Sequence, residues 1–364
     1  MVKFVVNNAK INILSKLDLK KLYIELTSSC NLSCKMCYRR FWSEKTGMMN
    51  DSTFKNILDQ ISEFKNLDTV HFGGIGEPLF HPKFLEYARI IKDLGYKLHV
   101  STNGTLLNDH LAEELIQINT DFITFSFDSS EDETFMEIRG IDKSIVFRNM
   151  KNIADKVRAK NKEYPKLELE IVAMKSNIDQ LPKIAELGGQ IGVSRILISN
   201  LLPMSPELVN EIVYDSEIDQ TYINEFLKSS RVNRIGVLLP EFSLKTERIC
   251  DFMQKKSTVI GWDGEVSPCY RFLHSYPEYI YGRLKNVNRF SFGNVNSKRL
   301  SEIWNSDEYQ RFRWNVENSA YPSCIDCVFS NAKCYFVSNT DIDCTGNVPS
   351  CGDCLWSRRL ILCP

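Results

Sequence analysis

Short strand-like runs alternate with helix-like stretches from residue 20 to about residue 205, and this alternation constrains the fold more than any other feature of the chain. The strand candidates are rich in β-branched and aromatic residues: LYIELT (22–27), TVHFG (69–73), KLHVST (97–102), FITFSF (122–127), LELEIVAM (167–174) and RILISNLL (195–202). Stretches with the period of an amphipathic helix lie at 51–66, 83–94, 108–118, 143–158 and 179–191. Such an alternation predicts a parallel sheet with crossover helices on its outside. Since a complete barrel needs eight units, we expect an α/β fold with a partial (β/α)6 TIM-like barrel.

The remainder of the chain loses this rhythm. Residues 206–249 are typical of a mostly helical bridge of mixed charge, and residues 250–364 are dense in cysteine and short of regular periods. We therefore predict four parts: an N-terminal segment (1–19), the barrel (20–205), a helical bridge (206–249) and a small cysteine-rich domain (250–364). A domain of the last kind usually needs metal to hold it together.

The composition excludes several function classes. With a formal net charge of −1, the chain has no field that favours nucleic acid or an acidic membrane surface, so neither is expected as a partner. The first residues form no signal peptide, and no run of about 18 apolar residues is present that would span a bilayer. The expected location is the cytoplasm, where thiols stay reduced and twelve cysteines indicate metal ligands rather than disulfides.

The cysteines fall into two widely separated groups: three lie in residues 30–37, none in 38–249 and nine in 250–363. The first group reads CNLSCKMCY and places Cys30, Cys34 and Cys37 in a C-x3-C-x2-C spacing. Three thiolates are one short of a structural zinc site and an odd number for disulfides. Half of a zinc site, or coincidence, is the alternative interpretation of this spacing.

Each unusual polar motif of the first half follows or closes a predicted strand. The cysteine motif follows the first strand, Gly73–Pro78 (GGIGEP) the second and Ser101–Gly104 (STNG) the third, and Phe125–Asp128 (FSFD) closes the fourth. In parallel β/α barrels the loops after the carboxyl ends of the strands carry the chemistry, so we expect these motifs at one rim. Taken alone, a glycine-rich turn or a Ser–Asp pair is more typical of an ordinary turn or a solvated strand end. The histidines expected to be packed or at the surface rather than ligands are His71, His81 and His99.

The CNLSCKMCY motif resembles the signature of the radical S-adenosylmethionine (SAM) enzymes. The resemblance implies that its three cysteines hold a 4Fe–4S cluster and leave one iron for SAM, as catalytic metal sites generally keep one position open. It also implies that an electron passed into SAM releases a 5′-deoxyadenosyl radical, which abstracts hydrogen. The residues that the resemblance places around SAM are Met36, Gly73, Gly74, Glu77, Pro78, Thr102, Asn103, Ser126, Asp128 and Arg139.

Two of these positions depart from the family pattern. Met36 stands where the family usually has an aromatic residue, and its thioether can still pack against adenine. Gly73 and Gly74 let backbone approach the SAM amino group closely, but an Ile-Gly pair is inserted before Glu77. The remaining implied roles are contact with the ribose for Thr102 and Asn103, and with the SAM carboxylate for Ser126, Asp128 and Arg139.

The second cysteine group resembles the SPASM extension of radical SAM enzymes, which binds one or two auxiliary 4Fe–4S clusters. The resemblance assigns Cys250 and Cys269 to an inner cluster, and Cys324, Cys327 and Cys334 to an outer one. The gap before the next cysteine is nine residues, longer than the family pattern. The expected remaining ligands are Cys344 for the inner cluster and one of Cys351, Cys354 and Cys363 for the outer. One or two zinc sites are the alternative, since CxxC pairs suit tetrahedral zinc equally well.

The last residues, DCTGNVPSCGDCLWSRRLILCP, are similar to the tail of the maturases associated with tungsten-cofactor aldehyde oxidoreductases. SPASM enzymes are mostly maturases, so the resemblance implies an enzyme acting on a peptide, a protein or a protein-associated cofactor. It also implies a low-potential electron donor such as ferredoxin or flavodoxin. Trp356, Arg358 and Arg359 of this tail are equally suited to covering a cluster.

Two alternative functions stay open. One is a ribosomal peptide-modifying enzyme that forms a crosslink, a thioether or an epimer. Within that class the sulfatase-maturase branch is disfavoured, because Tyr270 rather than an acid follows Cys269. The other is a non-catalytic iron–sulfur electron carrier, which would leave the glycine loop and Asn103 without a purpose. The sequence names no catalytic acid, base or hydrogen donor.

Overall fold

The computed structural model describes residues 2–6, 9–215, 219–330 and 334–363, with side chains from Lys10 onward. Its N-terminal strands β1 (Val2–Val6) and β2 (Ala9–Ile13) form an antiparallel pair. The strands of the main sheet are β3 (Lys21–Ile24), β4 (Thr69–Phe72), β5 (Lys97–Thr102), β6 (Phe122–Ser126), β7 (Lys166–Ala173), β8 (Arg195–Asn200), β9 (Gly236–Leu238), β10 (Ser257–Ile260) and β11 (Val266–Ser267). A separate antiparallel pair consists of β12 (Tyr276–Ile280) and β13 (Arg283–Val287).

Helices connect these strands in the described part of the chain. They are α1 (Asp51–Ile61), α2 (Phe84–Asp93), α3 (Asp109–Gln117), α4 (Asp132–Arg139), α5 (Lys143–Ala159), α6 (Leu181–Ile191), α7 (Pro206–Val209), α8 (Gln220–Val232), α9 (Asp251–Gln254), α10 (Leu300–Trp304) and α11 (Asp307–Glu317). None of the described helices has the length and apolarity needed to cross a lipid bilayer.

The main sheet runs in the order β11-β10-β3-β4-β5-β6-β7-β8-β9, and its neighbours are parallel except for the pair β10 and β11. Within the described residues the edge strands β11 and β9 pair with no further strand, so the barrel stays open. The predicted α/β fold with a partial barrel is confirmed, and β3 to β8 are its six predicted strands. The helix α4 was not among the predicted ones.

Burial on both faces explains why the strands are so apolar. In β3, Leu22, Tyr23 and Ile24 are at most 2% exposed, as expected for a parallel sheet covered by helices. The helix α1 shows how the cover is built: the Asn50 side chain accepts a hydrogen bond from Thr53 N–H at 2.9 Å and caps the first turn. The apolar stripe of α1 then packs into the core beneath it.

The cysteine-rich part of the chain contributes to the same sheet. Its first strand, β10, lies parallel to β3, with Val259 opposite Tyr23. The predicted bridge contributes β9 at the other edge. Strands from three of the four predicted parts therefore form one sheet. The division of the chain into four separate parts stays a prediction.

The C-terminal tail lies against the carboxyl end of β8. Ser199 Oγ accepts a hydrogen bond from Leu362 N–H at 3.0 Å, and Asn200 Nδ2 donates to the carbonyl oxygen of Leu360 at 2.9 Å. These bonds hold Trp356 and Cys363 over the mouth of the barrel, where they line its cavity.

Candidate active site

A cavity of about 220 Å³ opens at the carboxyl ends of the barrel strands. The predicted site residues that line it are Met36, Cys37, Gly74, Ser126, Arg139 and Cys363. The lining residues that were not predicted include Glu170, Asn200, Tyr270 and Trp356. The positions of the motifs after the strands predicted that they meet at one rim of the barrel. The lining residues that belong to those motifs do meet there.

The three N-terminal cysteines lie in the loop that follows β3. Cys30 and Cys37 are partly buried and Cys34 is buried. Burial raises the pKa of Cys37 to about 11, so in the absence of a metal this thiol stays protonated at neutral pH. Three protein donors point at the sulfurs. Leu32 N–H and Asn103 Nδ2 lie 3.4 and 3.6 Å from Cys30 Sγ, and Arg139 Nη1 lies 3.7 Å from Cys34 Sγ. Such donors and cations favour the thiolate form that a cluster needs.

Glu77 connects the glycine loop to the STNG loop. Its carboxylate accepts hydrogen bonds from Leu79 N–H at 3.0 Å and from Thr102 Oγ1 at 2.8 Å. The second oxygen accepts from Asn103 N–H at 2.7 Å. Burial raises the pKa of Glu77 to about 7. Because both carboxylate oxygens are occupied by the protein, Glu77 positions Asn103 beside Cys30, and a direct contact between Glu77 and SAM stays a prediction.

The inserted Ile-Gly pair lets the glycine loop lie directly on the cysteine loop. A Cβ atom on Gly76 would lie 2.0 Å from the carbonyl oxygen of Thr27, which no real carbon tolerates. Gly74 has φ +124°, and a Cβ there would lie 2.7 Å from the side chain of Glu25. Both positions therefore require glycine. Pro78 is buried and begins the short 3-10 helix Pro78–Phe80 that ends the loop.

An ion pair fixes the cationic side of the cavity. Arg139, at the end of α4, pairs with Asp128, which is fully buried and also accepts from Val172 N–H at 2.8 Å. Burial opposes the charge on Arg139, but Asp128 and Cys34 outweigh it and raise the pKa of the guanidinium. Burial raises the pKa of the nearby Glu170 to about 7. The cavity thus holds a permanent cation, Arg139, near a carboxyl group that burial makes easier to protonate.

The distal cysteines separate into two groups of four. Cys250, Cys269, Cys351 and Cys354 form the inner group, and all four line one cavity beneath the mouth of the barrel. Burial and the neighbouring Cys354 raise the pKa of Cys269 to about 12. Burial and the thiols of Cys354, Cys269 and Cys250 raise the pKa of Cys351. Because these four thiols line one cavity, the structure supplies a four-thiol set here.

The outer group consists of Cys324, Cys327, Cys334 and Cys344. Burial raises the pKa of Cys324 to about 12, with smaller contributions from Asp353 and Cys344. Burial, Asp343 and the thiols of Cys334 and Cys327 raise the pKa of Cys344. The expected division was different: Cys344 was assigned to the inner group, and one of Cys351, Cys354 and Cys363 to the outer. The structure places Cys344 among the outer cysteines, and both thiols of the CGDC segment among the inner ones.

Cys363 stands apart from both groups. Its sulfur accepts a hydrogen bond from Trp356 Nε1–H at 3.0 Å and faces the barrel cavity on one side and the inner cysteines on the other. Burial and Glu170 raise its pKa to about 12. Cys363 lines the same cavity as the four inner cysteines but bonds to an indole, so its role as the one cysteine in excess of eight ligands stays a prediction.

The donor sets suit iron–sulfur clusters. Among the described residues, no three His, Cys, Asp or Glu side chains lie close enough to share a single metal ion. A 4Fe–4S cluster has no such requirement, because each thiolate binds a different iron at a corner of the cluster. Three thiols at the barrel rim and two sets of four below it therefore fit one open cluster and two closed ones.

Comparisons with known proteins agree with this geometry. A family model described as the radical SAM superfamily matches residues 24–197, and an iron–sulfur cluster-binding domain model, SPASM, matches residues 250–328. A tungsten-containing aldehyde ferredoxin oxidoreductase cofactor-modifying protein of Pyrococcus furiosus is 46% identical over 348 residues, covering 95% of this chain and 97% of that protein. The chain belongs to the radical SAM superfamily. It is a radical SAM enzyme with a SPASM domain, and its cofactors are 4Fe–4S clusters and SAM.

The chain is also similar to a curated peptide cyclase and to a solved peptide-bound structure. A PqqA peptide cyclase of Gluconobacter oxydans is 26% identical over 303 residues, covering 80% of this chain and 78% of that protein. The crystal structure of Streptococcus suis SuiB bound to the precursor peptide SuiA gives a TM-score of 0.61 at 16% identity, covering 89% of this chain and 73% of that one. At that identity the likeness to SuiB shows the radical SAM fold alone.

Some lining residues carried little signal in the sequence. Glu170 stands in β7, where apolar residues alternate with charged ones, so its inward position was readable in principle from the period of two. Tyr270 and Trp356 come from the cysteine-rich part, which has no regular period to orient a side chain. Their place in the barrel cavity depends on how that part folds back, which only the structure reveals.

Proposed function

We propose that this enzyme is a radical SAM/SPASM maturase that reductively cleaves SAM and abstracts hydrogen from a peptide, protein or protein-associated cofactor in the maturation of a tungsten-containing oxidoreductase. The observation that carries the proposal is a cavity shared by the barrel and the cysteine-rich part. Its two sides are formed by Cys37, Gly74 and Arg139, and by Tyr270, Trp356 and Cys363. The substrate class is supported by the Pyrococcus furiosus relative, which is named as the modifier of a tungsten enzyme's cofactor and aligns over nearly its whole length.

In this proposal the three N-terminal cysteines are the ligands of the open cluster. Cys30, Cys34 and Cys37 would hold a 4Fe–4S cluster, and its chemistry would be to supply the one electron that cleaves SAM into methionine and a 5′-deoxyadenosyl radical able to take a hydrogen atom from the substrate. Arg139, held in place by Asp128, binds the SAM carboxylate as an ionic partner.

The other SAM contacts are assigned from the family resemblance, and Met36, Gly74 and Ser126 among them also line the cavity. Gly73 and Gly74 present backbone to the SAM amino group, and Ser126 lies beside Arg139 at the carboxylate. Asn103, oriented by Glu77, reaches the ribose. Met36 is 9% exposed at the cavity wall and packs against the adenine. Pro78 and Thr102 fix the ends of the two loops.

Side chains of the cysteine-rich part close the cavity above SAM. Tyr270 and Trp356 are large rings at its wall, and they exclude water from a radical that would otherwise react with any accessible hydrogen donor. The same part holds two auxiliary clusters in this proposal. Its ligand sets are Cys250, Cys269, Cys351 and Cys354 for the inner cluster, and Cys324, Cys327, Cys334 and Cys344 for the outer. A ferredoxin or flavodoxin supplies the electrons.

Incubation of the anaerobically reconstituted and reduced protein with SAM tests the reaction class. We expect 5′-deoxyadenosine to accumulate, and no product from the variant in which Cys30, Cys34 and Cys37 are all alanine. Intact clusters without 5′-deoxyadenosine in the wild-type protein would instead support an electron carrier.

A second candidate is a peptide-modifying enzyme, favoured by the similarity to a PqqA peptide cyclase. The substrate classes separate in one experiment: the reduced enzyme and SAM are offered either a cofactor-bearing tungsten oxidoreductase or short peptides encoded beside the gene. Mass change of the oxidoreductase cofactor, coupled to 5′-deoxyadenosine formation, supports the tungsten assignment. Mass change of a peptide alone would overturn it in favour of the second candidate.

A further inference from the structure

His274 lies buried where the cysteine-rich part meets the barrel rim. It is 2% exposed and stands five residues after Cys269 of the inner group. Its Nε2 lies 3.0 Å from a carboxylate oxygen of Glu25, and its Nδ1 lies 2.8 Å from a carboxylate oxygen of Glu44. A single imidazole therefore bridges two carboxylates from the barrel.

Glu25 supports the glycine loop from below. It is fully buried directly after β3, and its Oε1 accepts a hydrogen bond from Ile75 N–H at 3.1 Å. Its side chain also fills the space next to Gly74, where a Cβ would lie only 2.7 Å away. The glycine loop, which is assigned to the SAM amino group, is thus hydrogen-bonded to and packed against Glu25, the carboxylate that pairs with His274.

Glu44 connects His274 to the cysteine loop. It lies seven residues after Cys37, and its other oxygen accepts from Ser275 N–H at 2.6 Å. The ring of Trp42, from the same loop, lies 4.2 Å from the His274 ring between centroids. His274, in the segment after Cys269, therefore contacts the cysteine loop directly and the glycine loop through Glu25.

We infer that His274 is a positioning residue of the SAM site. It pairs with both Glu25 and Glu44, and through them the cysteine-rich part completes the SAM pocket of the barrel. The inference rests on the proposed assignment of Gly73 and Gly74 to SAM. A direct consequence is that SAM affinity depends on a residue outside the barrel, even though none of the His274 atoms needs to touch SAM.

The charges around His274 favour its cationic form. Among the described residues, the contacts of the His274 ring are with the carboxylates of Glu25 and Glu44 and with the Trp42 ring, and no cation is among them. Burial lowers the pKa of His274, but the two carboxylates outweigh burial and raise it to about 9. Without the imidazolium, a fully buried Glu25 carboxylate would lack its ionic partner, a costly arrangement that would drive the side chain and the loop above it to move.

The test is equilibrium dialysis of SAM against anaerobically reconstituted protein, with iron content measured on the same samples. We expect His274→Gln to weaken SAM binding about tenfold or more with iron unchanged, because a neutral amide cannot balance two carboxylates. Glu44→Gln, which keeps the contact with Glu25, should weaken it about threefold. The matched control is His99→Gln, which removes another buried histidine close to a carboxylate, Glu168 at 3.6 Å, and should leave SAM affinity unchanged.

Wild-type SAM affinity in His274→Gln at full iron content would overturn the inference and leave the proposed function intact. If that variant fails to fold, Glu44→Gln decides: wild-type affinity in it overturns the inference. A wild-type protein that binds no SAM at all would instead overturn the proposed function. A further readout separates positioning from bulk stability: above about pH 9 the SAM affinity of the wild type should fall, whereas that of His274→Gln should not.

Discussion

Replacing Gly76 with alanine perturbs the contact between the glycine loop and the cysteine loop at its tightest point. The added Cβ would lie 2.0 Å from the carbonyl oxygen of Thr27 and 2.7 Å from that of Ser29. An unstrained carbon–oxygen contact is about 3.3 Å, so the two loops must separate by about 1 Å. Because the obstructing atoms belong to the backbone, no side-chain rotation relieves the clash.

The cost follows from the bonds that such a separation breaks. Glu77 N–H donates to Ser29 O at 2.9 Å across the same contact, and losing this bond costs about 1 kcal/mol. Overpacking of one carbon adds about 1–3 kcal/mol, so the total is about 2–4 kcal/mol. If the loops relax apart in the free protein and must close again to bind SAM, 2 kcal/mol corresponds to about a 30-fold loss of affinity.

Equilibrium dialysis with SAM and thermal unfolding followed by circular dichroism measure the two ways in which this cost can appear. We expect Gly76→Ala to bind SAM about 30-fold more weakly, or to unfold at a lower temperature with its iron still bound. The matched control is Gly188→Ala in α6, where the new Cβ meets Ile235 at an ordinary 3.4 Å. Wild-type SAM affinity together with a wild-type unfolding temperature in Gly76→Ala would refute the reasoning.

Three more predictions concern the clusters and the ion pairs of His274. Alanine at Cys30, Cys34 and Cys37 together should abolish SAM cleavage and lower iron content from about 12 to about 8 atoms per chain; retained cleavage would contradict the ligand assignment. Cys363→Ser should keep all of that iron, since its sulfur bonds to an indole, and loss of about 4 iron atoms would show it to be a ligand. Burial lowers the pKa of His274, but its carboxylate partners raise it from 6.5 to about 9. Its contribution of about 3 kcal/mol to folding is therefore complete below about pH 6.5 and lost by about pH 9. The unfolding temperature of the wild type should fall over that window more than that of His274→Gln, and equal slopes would contradict the ion pairs.

The barrel was predictable because its signals are local. A run such as KLHVST is a strand in any context that buries its apolar side, and the predicted bounds 97–102 are the observed ones. The helix α4 was missed because its sequence, DETFMEIR, is short and has a weak apolar stripe. The pairing of β10 with β3 could not be predicted from the sequence, for a different reason. It joins residues more than two hundred positions apart, and no local pattern specifies a partner strand.

Part of the site was named from the resemblance to radical SAM enzymes. The three N-terminal cysteines, the glycines and Arg139 match that family's pattern, and thiolates, bare backbone and a planar cation have few substitutes in such roles. Of these, Cys37, Gly74 and Arg139 line the cavity, and their roles toward a cluster and SAM stay predictions. The sorting of the distal cysteines could not be predicted, because spacing along the chain does not say which thiols meet in space. His274 gave no signal either: a single histidine in an irregular segment becomes meaningful only when Glu25 and Glu44 are seen on both of its nitrogens.

The central claim is that the cluster on Cys30, Cys34 and Cys37 keeps one iron free of protein ligands so that SAM binds it directly. Electron paramagnetic resonance of the dithionite-reduced protein, recorded with and without SAM, tests this most directly when SAM is labelled with 17O in its carboxylate or 15N in its amino group. We expect SAM to shift the signal of this cluster alone, with hyperfine coupling to the label, and we expect neither effect in the triple alanine variant. A spectrum that SAM leaves unchanged, from protein whose N-terminal cluster is fully loaded, would contradict it.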